Sequence, residues 1–438
     1  MCVRSAYAVL VLSGMVLTGC TGAGDRMSEG VTVLTAWAHS GQEAERELLQ
    51  RFVREFNAEH GDVRVDITFL PDGSYNAQVQ AAALAGDMPD LLEFDGPFLY
   101  NYAWQGRLYP LDDLLPEGMR ENVIDTILAQ GTYHERLYSL GMYDSALVLY
   151  ARRSMLEAVD ARIPQGPDDA WTITEFNQLL ADLAEKDDDG QVLDLKMNYT
   201  GEWFCYGFYA SLLSGGGGLI DREDYSQAAG VLDGEASVAV MEHFQDWFEE
   251  HGYIDANVDD AAFTGGRVAL SWVGHWMYPS YHEAIGDDLL VLPLPDFGEG
   301  MRTGQGSWNW GITGKCEAPR AAMRFIAYLM EEEQILAMTE ANAAVPATYS
   351  AIEQAKVYAE GRPRHLFVQQ LTGGHAVPRP RTPAYSVITD AFQSAFHDIA
   401  NGADVRHTLG LTASTIDRDI ETNQGYPFLE DVQPELEK

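Results

Sequence analysis

Basic residues are scarce in this 438-residue chain: 28 Lys+Arg stand against 67 Asp+Glu, a formal net charge of −39. Such a surface repels phosphate backbones and anionic headgroups, which argues against nucleic acid as a partner. Cysteine is rare too, with four in the whole chain, and none stands in the C-x-x-C spacing of a zinc or redox site. Past the N-terminal segment no run is apolar enough to span a bilayer. GxSxG and HExxH are missing, and no Gly-Lys-Ser/Thr follows the glycine run 215–218, so neither a serine-hydrolase elbow, a zincin nor a phosphate loop is present. The acidic turn Asp187-Asp188-Asp189-Gly190 fails as a calcium loop. With Gly190 at the loop glycine, the bidentate glutamate position falls on Lys196. A solvated turn is expected there, and no metal or other cofactor.

The N-terminus carries a clear signal. Arg4 precedes a mostly apolar stretch, 6–16, too short for a membrane-spanning helix. Leu17-Thr18-Gly19-Cys20 follows and resembles the lipobox of bacterial lipoprotein precursors. That resemblance implies removal of a signal peptide, 1–19, and lipid on Cys20, with the small polar segment 20–30 as a tether. Cys2 leaves with the signal. Cys205 and Cys316 remain, either as a disulfide or as two separate buried thiols.

Length points to two domains, and 46% hydrophobic with 22% charged residues is a globular composition. Strand-like 31–37, an amphipathic helix over 42–60 (Leu48, Leu49, Phe52, Val53, Phe56), alternating 63–69, helical 75–85 and strand-like 88–94 follow in order. This alternation predicts an α/β fold with parallel strands and crossover helices. Ligands in such sheets bind at the carboxyl ends of strands. The loops bearing Trp37, His39, Gln42 and Asp95 lie near two such ends.

Four of nine tryptophans, Trp272, Trp276, Trp308 and Trp310, fall within 271–312 beside Gly, Ser, Pro or Asn. A pyranose has an apolar C–H face and a hydroxyl rim, which an indole and neighbouring polar groups match. Trp276, Trp308 and Trp203 are read as site residues. Trp272 and Trp310 are left between site and core, and Trp104, Trp171 and Trp247 are assigned to the core. A hydroxyl rim calls for forked donors and paired acceptors, for which Gln42, Asp95, Asp144, Glu202, Asn309 and Arg381 are candidates, with His39 as a further hydroxyl partner.

Several segments, taken in order, carry a resemblance to a known family: WAHSGQE, FNAEHGDVRVD, AALAGDMPDLLEFDGP, LYSLGMYDSALVLYARRSML, WTITEFNQLLADL, FYASLLSGGGGLI, AFTGGRVALSWVGHWM, GSWNWGIT and RPRTPAYSVITDAF. The chain resembles family 1 extracellular solute-binding proteins, the sugar-binding subunits of ABC importers. Met142-Tyr143, where the family often has a proline, and the WNW pair depart from its pattern. The resemblance implies a two-lobe periplasmic-binding-protein fold with a ligand cleft between lobes, and it makes Tyr143 and Asp144 a ligand-facing pair. It places the lobes at 31–141 plus 309–346 and 145–306 plus 348–438, with strands crossing near 140–145, 307–312 and 345–349. The expected protein is a monomer, lipid-anchored on the outer side of a cytoplasmic membrane or in a periplasm. It captures a mono- or oligosaccharide and delivers it to an ABC permease without catalysis. The alternatives are a glycoside hydrolase, which needs two facing carboxylates, and a binding protein for a polyol or glycerol phosphate.

Overall fold

A computed structural model describes residues 27–28, 30–257 and 259–428; Cys20 and the signal segment lie outside them. The strand Val31–His39 buries Leu34, Ala36 and Ala38 on one face, the period-2 pattern of a half-covered strand. The helix Glu43–Glu59 follows and covers that face with Leu49, Phe52, Val53 and Phe56. At its start the Glu45 carboxylate accepts the Gln42 backbone N–H at 3.1 Å, satisfying one of the donors a helix leaves free. Val63–Leu70 pairs parallel with the first strand over eight residues, and Leu91–Asp95 pairs parallel on its other side. The helix Tyr75–Ala85 between them stops at left-handed Gly86.

The expected parallel start is therefore present, but the seven-stranded sheet is mixed. Trp308–Thr313 returns from far along the chain and runs antiparallel to Leu91–Asp95, with Trp308 opposite Asp95. Helices Pro319–Leu329 and Glu332–Asn342 close the same core through Phe325, Ile326, Leu329, Ile335 and Met338. The two helices are separated at Glu331, which takes an extended conformation before the second one.

A second seven-stranded sheet is built around Tyr143–Arg152, whose first nine residues are all buried. Leu270–Gly274, Leu289–Leu292, Thr303–Gly306 and Val345–Pro346 all pair antiparallel with this strand. Ser139–Leu140 still belongs to the first sheet, so the chain changes sheets at Gly141 and Met142. It changes back at Ser307, between Thr303–Gly306 and Trp308–Thr313. Val345 and Pro346 join the second sheet after the first-lobe helices. This is a two-lobe periplasmic-binding-protein fold, with short crossings of the kind that act as hinges.

Cys205 and Cys316 are both buried, one in each apolar core, so no disulfide joins the two. Asp187 Oδ1 accepts the N–H groups of Asp189 and Gly190 at 3.0 and 3.1 Å, which accounts for the acidic turn locally. No helix among the described residues is long and apolar enough to cross a membrane.

Candidate ligand-binding site

Between the lobes lies a cavity of about 580 Å³. Its first-lobe wall comes from the end of the Val31–His39 strand, the start of the next helix, the loop at Asp72 and Gly73, and Asp95. Its second-lobe wall comes from 198–206, the turn at His275 and Trp276, and the loop at Arg379. Ser307 and Trp308, at a sheet crossing, complete it. At the lip the lobes touch: a Cβ at Gly73 would stand 2.5 Å from Thr200 Oγ1. The lobes are closed over the cavity.

Trp308 is fixed from behind. The His39 ring stacks on it at 3.8 Å with 3° between planes, and Tyr75 meets it edge-on at 5.3 Å. His39 Nδ1–H donates to Glu93 Oε2 at 2.8 Å. Burial pulls the imidazole pKa down, but Glu93, with help from Asp72 and Glu45, outweighs it and holds the group at about 9. At neutral pH an imidazolium therefore lies on the indole face, a cation–π arrangement.

Trp276 belongs to the second lobe. It stands edge-on to Trp203 (6.1 Å, 86°) and near-parallel to Tyr206 (6.3 Å, 30°), and its Nε1–H donates to Tyr199 Oη at 3.3 Å. Its ring folds back over Gly274, where any Cβ would overlap it. The glycine is thus a condition for the aromatic platform. His275 donates from Nδ1 to the Asn342 carbonyl at 2.7 Å, and burial pushes its pKa down to about 4, so it stays neutral.

Arg379 ties the lobes together beneath the platforms. It donates to both Asp95 oxygens (2.6 and 2.5 Å) and to Glu202 Oε1 (2.6 Å), and its guanidinium lies 4.5 Å from the Tyr206 ring centroid. Its side chain is 1% exposed. Glu202 also accepts from the hydroxyls of Tyr385 and Thr389. Burial pushes the Glu202 carboxyl up to about 8, with Arg379 pulling against it and Asp95 adding to it. The cationic guanidinium is shared by two carboxyl groups from opposite lobes, Asp95 as a bidentate, charge-assisted partner and Glu202 as a largely protonated one at neutral pH.

Of the residues singled out from the sequence, His39, Gln42, Asp95, Tyr143, Trp203, Trp276, Trp308 and Glu202 line this cavity. Trp37, Asp144, Asn309 and Arg381 do not. Strand alternation explains two of these. Tyr143 and Ser145 face the cavity, so Asp144 between them points away. Asp144 is fully buried and accepts from Gln130 (3.2 Å), Gln305 (2.8 Å) and the Ser145 N–H (2.8 Å); burial raises its pKa. Since Gln130 lies on a first-lobe helix and Gln305 on a second-lobe strand, Asp144 is a hinge carboxylate. Asn309 alternates with Trp308 in the same way and is fully buried, its Nδ2 donating to Ser307 O at 3.1 Å. Trp37 shares a strand face with His39 but lies one repeat deeper, against the apolar core. Arg381, two residues further on, does not reach the cavity, and Arg379 takes the place expected of it. Trp272 and Trp310, at 0% and 1% exposure, are core residues.

The sequence reading missed Arg379, Tyr199, Tyr206, Glu45, Ser145 and His275. Tyr206 had a usable signal, since it lies three residues after Trp203 on the helix Trp203–Ser214 and so shares its face. Nothing in RPRTP separates Arg379 from Arg381.

Comparisons with known proteins agree with this fold. A family model of bacterial extracellular solute-binding proteins matches residues 51–362. An uncharacterized lipoprotein in the oleD 5′ region of Streptomyces antibioticus is 26% identical, over 93% of this chain and 91% of that protein. The fold is similar to the GacH receptor of Streptomyces glaucescens, solved unliganded and with acarbose (TM-score 0.75, 21% identity, 90% of this chain and 99% of that one). It is also similar to the maltotriose-binding protein of Thermus thermophilus, solved with maltotriose (TM-score 0.72, 18% identity, 88% and 100%). The chain belongs to the bacterial extracellular solute-binding protein family.

Proposed function

We propose that this chain captures a mono- or oligosaccharide between its lobes and hands it to an ABC permease, held at the outer side of a membrane by lipid on Cys20. The observation that carries the reading is the pairing of Trp308 from the crossing to the first sheet with Trp276 from the second lobe on one cavity of about 580 Å³. Two indoles facing one space suit a flat solute with apolar faces, and the carboxylates, Arg379 and Gln42 suit its hydroxyl rim. Acarbose and maltotriose in the similar receptors support a saccharide. Binding free energy that is realised only when both walls are engaged stabilises the closed form, the state a permease would read. The lipoprotein relative supports the anchor. The protein acts as a monomer and without catalysis.

A glycosidase gains no support from the geometry. Asp144 faces away from the cavity and Asp95 is held by Arg379, so the two carboxylates do not face each other across a substrate. Isothermal titration of the mature chain against mono- and oligosaccharides, followed in parallel by tryptophan fluorescence, tests the proposal. At least one sugar is expected to bind with a dissociation constant in roughly the micromolar range or tighter. Absence of any binder across α- and β-linked series would overturn it.

A further inference from the structure

The charge on the cavity walls is lopsided. Six carboxyl groups line it; with Glu202 pushed up to about 8 and so largely protonated at neutral pH, Glu45, Asp72, Asp95, Asp260 and Asp390 stand as carboxylates against one guanidinium and one imidazolium. His275, the other titratable nitrogen there, is neutral because burial holds its pKa near 4. The two cations are already spent. Arg379 is matched by Asp95 and also serves Glu202. The imidazolium of His39 is matched by Glu93 and has Asp72 and Glu45 close by as well, three acids around one base.

Acids without a cation of their own stand on both walls. On the first lobe Glu45 is 8% exposed and, among the described residues, its oxygens take the uncharged donors Asn342 Nδ2 (2.8 Å) and Gln42 N (3.1 Å). Asp72 has a single long bond from Gly41 N, at 3.3 Å. On the second lobe Asp390 takes no hydrogen bond or ion pair through its carboxylate among the described residues, and partial burial raises its pKa. Asp260 shares Lys196 with Asp194. Closing the lobes therefore brings two negative walls together across a space from which most water is removed. A neutral ligand leaves that repulsion in place, whereas a cation placed between the walls turns it into attraction that exists only in the closed form. The same space is framed by the rings of Trp203, Tyr206, Trp276 and Trp308, faces that attract an ammonium as readily as a sugar C–H face.

We propose that the cavity takes a saccharide carrying a protonated amine, with its ammonium between the carboxylates of the two lobes. This rests on the sugar-binding reading and narrows it to aminated sugars. The whole chain is acidic, with 67 Asp+Glu to 28 Lys+Arg; what sets the cavity apart is that acids without a cation of their own line one enclosed space from both lobes.

Calorimetric titration of the mature chain with matched ligands at neutral pH tests the proposal. Chitobiose, cellobiose and N,N′-diacetylchitobiose form the β-linked set, and kanamycin A against maltotriose forms the α-linked one. In at least one set the amine is expected to bind tenfold or more tighter than its neutral counterparts, roughly 1.4 kcal/mol or more. The gap should shrink as salt is raised and shrink again in Asp72→Asn and Asp390→Asn, read as the ratio of amine to neutral-sugar affinity within each variant. Neutral members binding as well as or better than amines in both sets would overturn the inference and leave the sugar reading standing. No binding by any of these ligands or by the wider sugar panel would overturn both.

Discussion

Replacing Arg379 by Met keeps the length and apolar stem of the side chain but removes the cation that bridges the lobes. Three hydrogen bonds from the cation disappear, two to Asp95 and one to Glu202, and the Asp95 carboxylate is left without its partner charge. Breaking a buried ion pair by removing one partner typically costs about 3–5 kcal/mol, because the remaining charge is neither paired nor hydrated. Here the loss is confined largely to the closed form, since opening the cleft lets water reach Asp95 and Glu202. It is therefore expected as a fall in ligand affinity of about 10²–10³-fold, with a smaller loss of stability in urea unfolding. Titration calorimetry with the tightest-binding sugar, on wild type, Arg379→Met, Asp95→Asn and the double variant, reads the effect. Because Asp95→Asn removes the partner charge, the cycle should show a coupling of about 2 kcal/mol or more. Affinity within about threefold of wild type for Arg379→Met, with a folded protein and no coupling, would refute the idea that this cluster sets the energy of closure.

Three further outcomes follow from the geometry. Gly274→Ala should push the Trp276 ring off its seat, a local overpacking of about 1–3 kcal/mol that weakens ligand binding while the far-ultraviolet circular dichroism stays unchanged; unaltered affinity would show that the ring position is not needed. The His39 imidazolium, with its pKa raised from about 6.5 to about 9, binds a proton in the folded state that the unfolded chain releases. The stability it contributes is full below about pH 6.5 and is lost as pH rises to about 9. The stability advantage of wild type over His39→Gln should thus shrink across that window by roughly 3 kcal/mol, and a pH-independent difference in urea midpoints would contradict this. Asp144→Ala strips the acceptor from the buried Gln130 and Gln305 amides. It should lower the stability of the ligand-free protein by about 1–3 kcal/mol, which a ligand-contact role alone would not do.

Much of the fold was legible because it rests on local pattern. Apolar spacing at Leu49, Phe52, Val53 and Phe56 marked a helix that the structure places at Glu43–Glu59, and the alternation over 63–69 marked the strand Val63–Leu70, the parallel partner of Val31–His39. The antiparallel return of Trp308–Thr313 beside Leu91–Asp95 was not readable from pattern, since it joins segments more than two hundred residues apart. At the cavity, residues at strand ends or turns, such as His39, Asp95 and Trp276, were found because chain ends of strands converge there. Misplacements came where one residue of a strand was taken with its neighbour: Asp144 beside Tyr143, and Asn309 beside Trp308. Period 2 forbids both members of such a pair from facing one cavity. Arg379 rather than Arg381 was settled only by where the chain turns after Ala376–Pro378.

The central claim is that a sugar lies between Trp276 of the second lobe and Trp308 of the crossing to the first. Calorimetric titration of Trp276→Ala and Trp308→Ala with the sugar that binds wild type most tightly tests it most directly. The account predicts that affinity falls by about tenfold or more in at least one variant, with circular dichroism and melting cooperativity retained. Wild-type affinity in both variants would contradict it, because the indoles would then be filling space rather than holding the ligand.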